Sequence, residues 1–132
     1  AGIEGSEHHW VEGNWSSASG EAAIEQLLQS YPEMDAVFAA NDQMALSVLQ
    51  TANRRGIRVP HQLAVVGFDD IAESAYFSPA LTTINQNQYE LGCWAVQEAV
   101  GQIEAVRRQE QTQARTIWLE PELAVRESSV IS

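Results

Sequence analysis

Of the 132 residues 45% are hydrophobic, and 18 acidic side chains outnumber seven basic ones to give a formal net charge of −11. That length holds one core and not two ordinary ones, and no apolar stretch reaches the roughly 20 residues that cross a bilayer. All seven basic residues are arginine, in small groups such as Arg54-Arg55-Arg58 and Arg107-Arg108 set among acids and polar residues. Such a balance argues against a phosphate-tracking surface, and arginines near helix ends complement the helix dipole instead. The opening Ala1-Gly2-Ile3-Glu4-Gly5 has no basic segment leading into an apolar one, so no secretion signal is visible.

Taken in chain order, residues 8–12 read as a short strand leading to Gly13-Asn14-Trp15, and Ser16 is placed to cap a helix over 17–30. Ile24, Leu27, Leu28 and Tyr31 recur at core-facing spacing in that helix, and Pro32 helps to stop it. Ala36-Val37-Phe38-Ala39-Ala40 is a continuous apolar run that suits a strand buried on both faces of a parallel sheet. Asp42 follows as a natural cap for a helix over 43–55, whose core stripe is Met44, Ala45, Val48, Leu49 and Ala52. Gly56 stands where a left-handed C-cap belongs, and Leu46 lies off the stripe, open to a partner surface. Leu63–Gly67 reads as a second buried strand, which completes a right-handed βαβ unit. Beyond Pro79 come an extended Leu81–Ile84 and a long helix over 88–108 with Leu91, Ala95, Ala99, Ile103 and Val106 on one face. A polar connection at 107–115 leads to a last strand around Ile117-Trp118-Leu119.

Open α/β sheets bind ligands outside the carboxyl ends of their strands. Asn41 follows the first buried strand and Asp69 the second, and together they offer the donors and paired acceptors that suit a polyol or sugar. The same two residues would serve equally as helix caps and turn formers, and position alone leaves both roles open. Catalysis finds little support. Asp69-Asp70 are adjacent and diverge, whereas glycosidase carboxylates face each other across a bond. A receiver-type phosphoaspartate site needs a lysine the chain lacks, and the serines at 16–19 are without the flanking glycines of a nucleophile elbow. Cys93, the only cysteine, reads as a buried structural thiol, and His8-His9 as a solvated pair, so neither a metal nor another cofactor is expected.

Four motifs, in this order and spacing, resemble one known family. They are Asn41-Asp42-Gln43-Met44-Ala45-Leu46, Gly56-Ile57-Arg58-Val59-Pro60, Val65-Val66-Gly67-Phe68-Asp69-Asp70 and Pro79-Ala80-Leu81-Thr82-Thr83-Ile84. With the closing Leu119–Leu123 and Arg126-Glu127-Ser128, they are similar to the effector-binding domain of the lactose-repressor/galactose-repressor family. The resemblance runs from about Glu12 to Ser128. It implies a periplasmic-binding-protein-like α/β fold of two subdomains, of which this chain would hold mainly the C-terminal one and so be incomplete. Residues 1–84 and 117–128 would form that subdomain, and 85–116 a remnant of the N-terminal one.

The resemblance further implies that Asp69 and Asn41 bond effector hydroxyls, that Trp15 gives an apolar wall, and that Gln86 joins the polar network. Leu46, Tyr76 and Phe77 would belong to a homodimer interface. Gln88 stands where a pocket aromatic occurs in the family, which speaks against the same sugar. A ligand-contacting arginine and the helix-turn-helix that meets operator DNA would both lie upstream of Ala1. The expected function is therefore that of a cytoplasmic transcription regulator's sensor, not an enzyme, which binds a sugar or similar small polar effector and does not engage a membrane. The rival is a periplasmic sugar-binding protein of a transport system, to be told apart by the sequence upstream.

Overall fold

The computed structural model describes residues 9–111 and 115–130. The chain divides into two compact units, one holding the segments up to Ile84 and from Leu123 onward, the other Asn85–Glu122.

In the first unit, α1 spans Ser17–Ser30 and is capped by Ser16, whose side chain accepts from the Ser19 backbone N–H. Ile24 and Leu27 are its buried face, and Tyr31 ends it just before Pro32. β1 (Ala36–Phe38) leads through α2 (Asp42–Arg54) to β2 (Ala64–Phe68), and β1 and β2 pair in parallel with Phe38 opposite Val66. β3 (Thr82–Asn85) lies parallel on the other side of β2, and β4 (Glu122–Ala124) extends the sheet in the order β1-β2-β3-β4. The expected βαβ unit is present. Met44, Ala45, Val48, Leu49 and Ala52 of α2 are all buried, and Gly56 closes the helix with φ 69°.

The core joins α2 to Ile24 and Leu27 of α1 and to Leu63, Val65 and Leu81 around the sheet. α1 meets α2 closely enough that a Cβ on Gly20 would lie 2.7 Å from Met44 Cα. Leucine-rich faces in such contact supply the main folding force, about 25 cal/mol per Å² of apolar surface removed from water.

Several expectations fail for identifiable reasons. β1 is not buried on both faces: Phe38 is 61% exposed, because β1 is the first strand of the sheet and has a paired neighbour on one side only among the described residues. Residues 9–12 are not a strand, and His8 lies outside the described residues. His9 stacks on Tyr31 with ring centroids 4.4 Å apart. Asp42 is not the cap of α2. Asn41 takes that place with extended φ and ψ of −152° and 169°, which turns Asp42 into the interior. No strand forms at 117–119. β4 comes later, at Glu122–Ala124, where the downstream Arg126 and Ser128 anchor the chain to β3 through Thr82.

In the second unit, α3 (Gln88–Arg107) has no buried residue. Cys93 is accordingly half-buried rather than enclosed, and Leu91, Val96, Val100, Ile103 and Val106 are exposed. Arg115 forms an ion pair with Glu98 there. The polar connection after Arg107 is partly described, residues 112–114 lying outside the described residues.

Candidate functional site

Asn41 sits at the carboxyl end of β1 and is buried. Its side-chain oxygen accepts from the Met44 N–H at 2.9 Å, which caps α2, and its Nδ2 donates to the Trp15 carbonyl at 2.9 Å. One amide therefore both caps α2 and holds the Trp15 backbone. The second bond holds Trp15 at φ 69°, a left-handed conformation that a bulky residue adopts only when its surroundings impose it. Asn14 tightens the same turn by accepting from the Ser16 hydroxyl at 2.6 Å and by giving its N–H to Ser19 Oγ at 3.0 Å. The Trp15 side chain is thereby fixed at its root while remaining 66% exposed.

Asp69 follows β2, and its N–H donates to the Ile84 carbonyl at 3.0 Å. The β1–β2 register pairs Phe38 with Val66, and Asn41 and Asp69 each follow three residues after those partners, beyond the carboxyl ends of neighbouring parallel strands. Asp69 and Asp70 are both at positive φ, 108° and 51°. Asp70 is held by Arg126, whose Nη2 donates to Oδ1 at 2.7 Å, and by the Ser74 hydroxyl at 3.1 Å. It is a carboxylate tied into the fold, beside the half-buried Asp69.

An apolar groove of about 160 Å³ opens beside Trp15, lined by Val11, Val37, Phe38, Ala40 and Met44 among others. Gln86 is half-buried at the start of the second unit. Of the expected interface residues, Leu46 is half-buried, Tyr76 is 87% exposed, and Phe77 is half-buried against the core. The arginines at the end of α2 are spoken for: Arg54 pairs with Glu21, Arg55 with Glu25, and Arg58 bonds Gln62.

Asp42 is the residue whose role the sequence hid. It is fully buried, and its two oxygens accept from the Thr83 hydroxyl at 2.6 Å and the Ile71 backbone N–H at 2.9 Å. Burial raises its pKa above the ordinary 3.8, with the Asp69 and Asp70 charges adding to the effect and the two hydrogen bonds opposing it. Gly67 makes the space, since a Cβ there would lie within van der Waals overlap of Asp42 Oδ1. An Asn-Asp pair after a strand carries no local sign of which member turns inward.

Residues 2–129 match the periplasmic binding protein-like domain family. The HTH-type transcriptional repressor PurR of Photorhabdus laumondii subsp. laumondii is 38% identical over 122 residues, 92% of this chain and 35% of the relative. The chain spans about a third of the length of the curated relatives it matches. Among solved structures, a complex of the transcriptional regulator CelR with cellobiose superposes with a TM-score of 0.84 at 35% identity. It takes in 97% of this chain and 38% of the other. The lac repressor dimer bound to operator and the anti-inducer ONPF gives 0.75 at 32% identity, over 91% of this chain and 40% of that one.

Proposed function

The chain belongs to the periplasmic binding protein-like domain family, and from that we propose that it is part of the effector-binding domain of a transcription regulator. Its effector would be a sugar or a similar small polar molecule. The observation that carries this reading is the placement of Asn41 and Asp69 at the carboxyl ends of adjacent parallel strands, with Trp15 tied to the first of them. An ionised Asp accepts two hydroxyl bonds, the Asn amide retains one further donor, and an exposed indole offers a flat apolar surface to a sugar ring. Few placed polar groups beside an apolar wall are the usual composition of such sites.

Binding would act by population shift, the effector favouring one arrangement of the regulator and thereby changing its affinity for operator DNA. Operator contact would come from a helix-turn-helix outside these 132 residues, as in relatives that are HTH-type transcriptional repressors. Leu46, Tyr76 and Phe77 would pair two copies. With Leu46 replaced by Arg, an unpaired charge would enter that interface, and sedimentation should show a shift towards monomer.

A titration with cellobiose and a panel of mono- and disaccharides, followed by amide and indole NMR signals, tests the site. Because Trp15 leaves the wall open, affinity should be modest, in the millimolar range or about −4 kcal/mol. Saturable shifts centred on Trp15, Asn41 and Asp69 are expected. Shifts confined to α3, or none across the panel, would overturn the assignment.

A further inference from the structure

Asp42 neither caps its own helix nor faces the site, yet it is the most enclosed carboxylate among the described residues, and both its hydrogen bonds converge on one short segment. Ile71, which donates to Oδ2, is the residue immediately after Asp69 and Asp70. Thr83, which donates to Oδ1, also accepts from the Asp70 N–H at 3.3 Å. The Asp69–Ile71 turn is therefore stitched to the first turn of α2 at both ends of a single carboxylate. That turn needs holding, since two consecutive non-glycine residues in it have positive φ. Arg126 holds it from the opposite side through Asp70 and also bonds the Leu81 carbonyl at 2.8 Å. The space Asp42 occupies exists because position 67 has no Cβ, so carboxylate and glycine are fitted to each other.

We infer that Asp42 is a positioning residue: it fixes the left-handed Asp69–Asp70 turn, and so the direction in which Asp69 is presented, by gripping Ile71 N–H and Thr83 Oγ1. The inference rests on the reading of Asp69 as a ligand contact for its functional meaning, but its structural content stands apart from any ligand. Asn41 and Asp42 thus divide the labour of one dipeptide, the first building the Trp15 side of the wall and the second the Asp69 side.

Backbone amide hydrogen exchange on the chain, with Asp42→Ala, Asp42→Asn and Thr83→Val, tests it. Local opening of a hydrogen-bonded turn raises exchange there alone, whereas loss of general stability raises it everywhere. In Asp42→Ala, exchange at Ile71 and Asp69 should rise by roughly tenfold or more relative to Leu49, Ala52 and Val65. Asp42→Asn keeps an acceptor for Ile71 and a donor for Thr83 Oγ1, and should restore most of the protection. Thr83→Val should raise exchange at the Asp70 N–H while Ile71 stays protected, and it keeps the test informative if the alanine variant does not fold. A uniform rise across the core, or no rise at Ile71, would overturn the inference. A wild-type chain that ignores every sugar in the panel, together with the localised pattern in Asp42→Ala, would overturn the ligand reading and support the positioning role.

Discussion

α2 and α3 are both helices with apolar residues at helical spacing, and they end in opposite circumstances. α2 buries Met44, Ala45, Val48, Leu49 and Ala52 against α1 and the sheet, and even its Asp42, Ser47 and Thr51 are enclosed. α3 carries Leu91, Trp94, Val96, Val100, Ile103 and Val106 and buries none of them among the described residues. An apolar stripe shows that a helix has a face to cover; it does not show that the cover is present. The core of the first unit is built around α2, while the apolar side chains of α3 stay half-buried or exposed among the described residues.

The largest effect that sharpens this contrast is truncation of one leucine in each helix. Leu49→Ala should cost about 2–5 kcal/mol, the lost transfer energy plus the cavity left behind. Leu91→Ala should stay within about 0.5 kcal/mol, as surface substitutions do. Urea denaturation monitored by circular dichroism measures both, and equal losses would mean that α3 is covered in solution.

Glycines give the next contrast, with opposite signs. Gly20→Ala drives a methyl into the Met44 backbone of α2, where atoms already lie at 2.7 and 2.9 Å from its position, and should destabilise by about 1–3 kcal/mol. Gly92 and Gly101 of α3 have nothing within 4 Å of an added Cβ, so Gly92→Ala and Gly101→Ala should strengthen the helix by about 0.5–1 kcal/mol each. Thermal melts of the three variants should separate them clearly. A destabilising Gly101→Ala would reveal a neighbour on that face.

The smallest expected effect is the pH response of Asp42. Its folded pKa lies above the unfolded value of 3.8, so the folded state binds this proton more tightly. The contribution is fully present below 3.8 and is lost as pH rises through the folded pKa. Relative to Asp42→Asn, which has no charge to bury, the wild type should therefore lose stability as pH rises above about 4. Urea midpoints of the two proteins at stepped pH would show it, and a constant difference would contradict the burial.

What was legible in the sequence was local. Ser16 as a cap, the stripe of α2, Gly56 at its end and the βαβ order all follow from spacing and turn chemistry, and all appear in the structure. What was not legible depends on distant partners. Ala36–Ala40 has the composition of an inner strand, but it is the first strand of the sheet among the described residues, and Phe38 is exposed. Ile117-Trp118-Leu119 has strand-like residues, whereas the strand forms at Glu122–Ala124, beside the residues that bond Thr82. Asn41 and Asp42 are equally good caps in isolation, and only Ile71 and Thr83, 29 and 41 positions downstream, decide which turns inward. The candidate site divides likewise: the strand-end positions of Asn41 and Asp69 could be read directly, the bond from Asn41 to Trp15 could not.

The most direct test of the ligand wall is NMR titration of wild type and Asp69→Asn with whichever panel sugar binds. The substitution preserves shape while removing the charge and one acceptor oxygen, and a charge-assisted hydrogen bond to a hydroxyl is worth about 1.5–3 kcal/mol. Affinity should fall about ten- to a hundredfold with the melting temperature nearly unchanged. Equal affinity in the two proteins would remove Asp69 from the site and contradict the account.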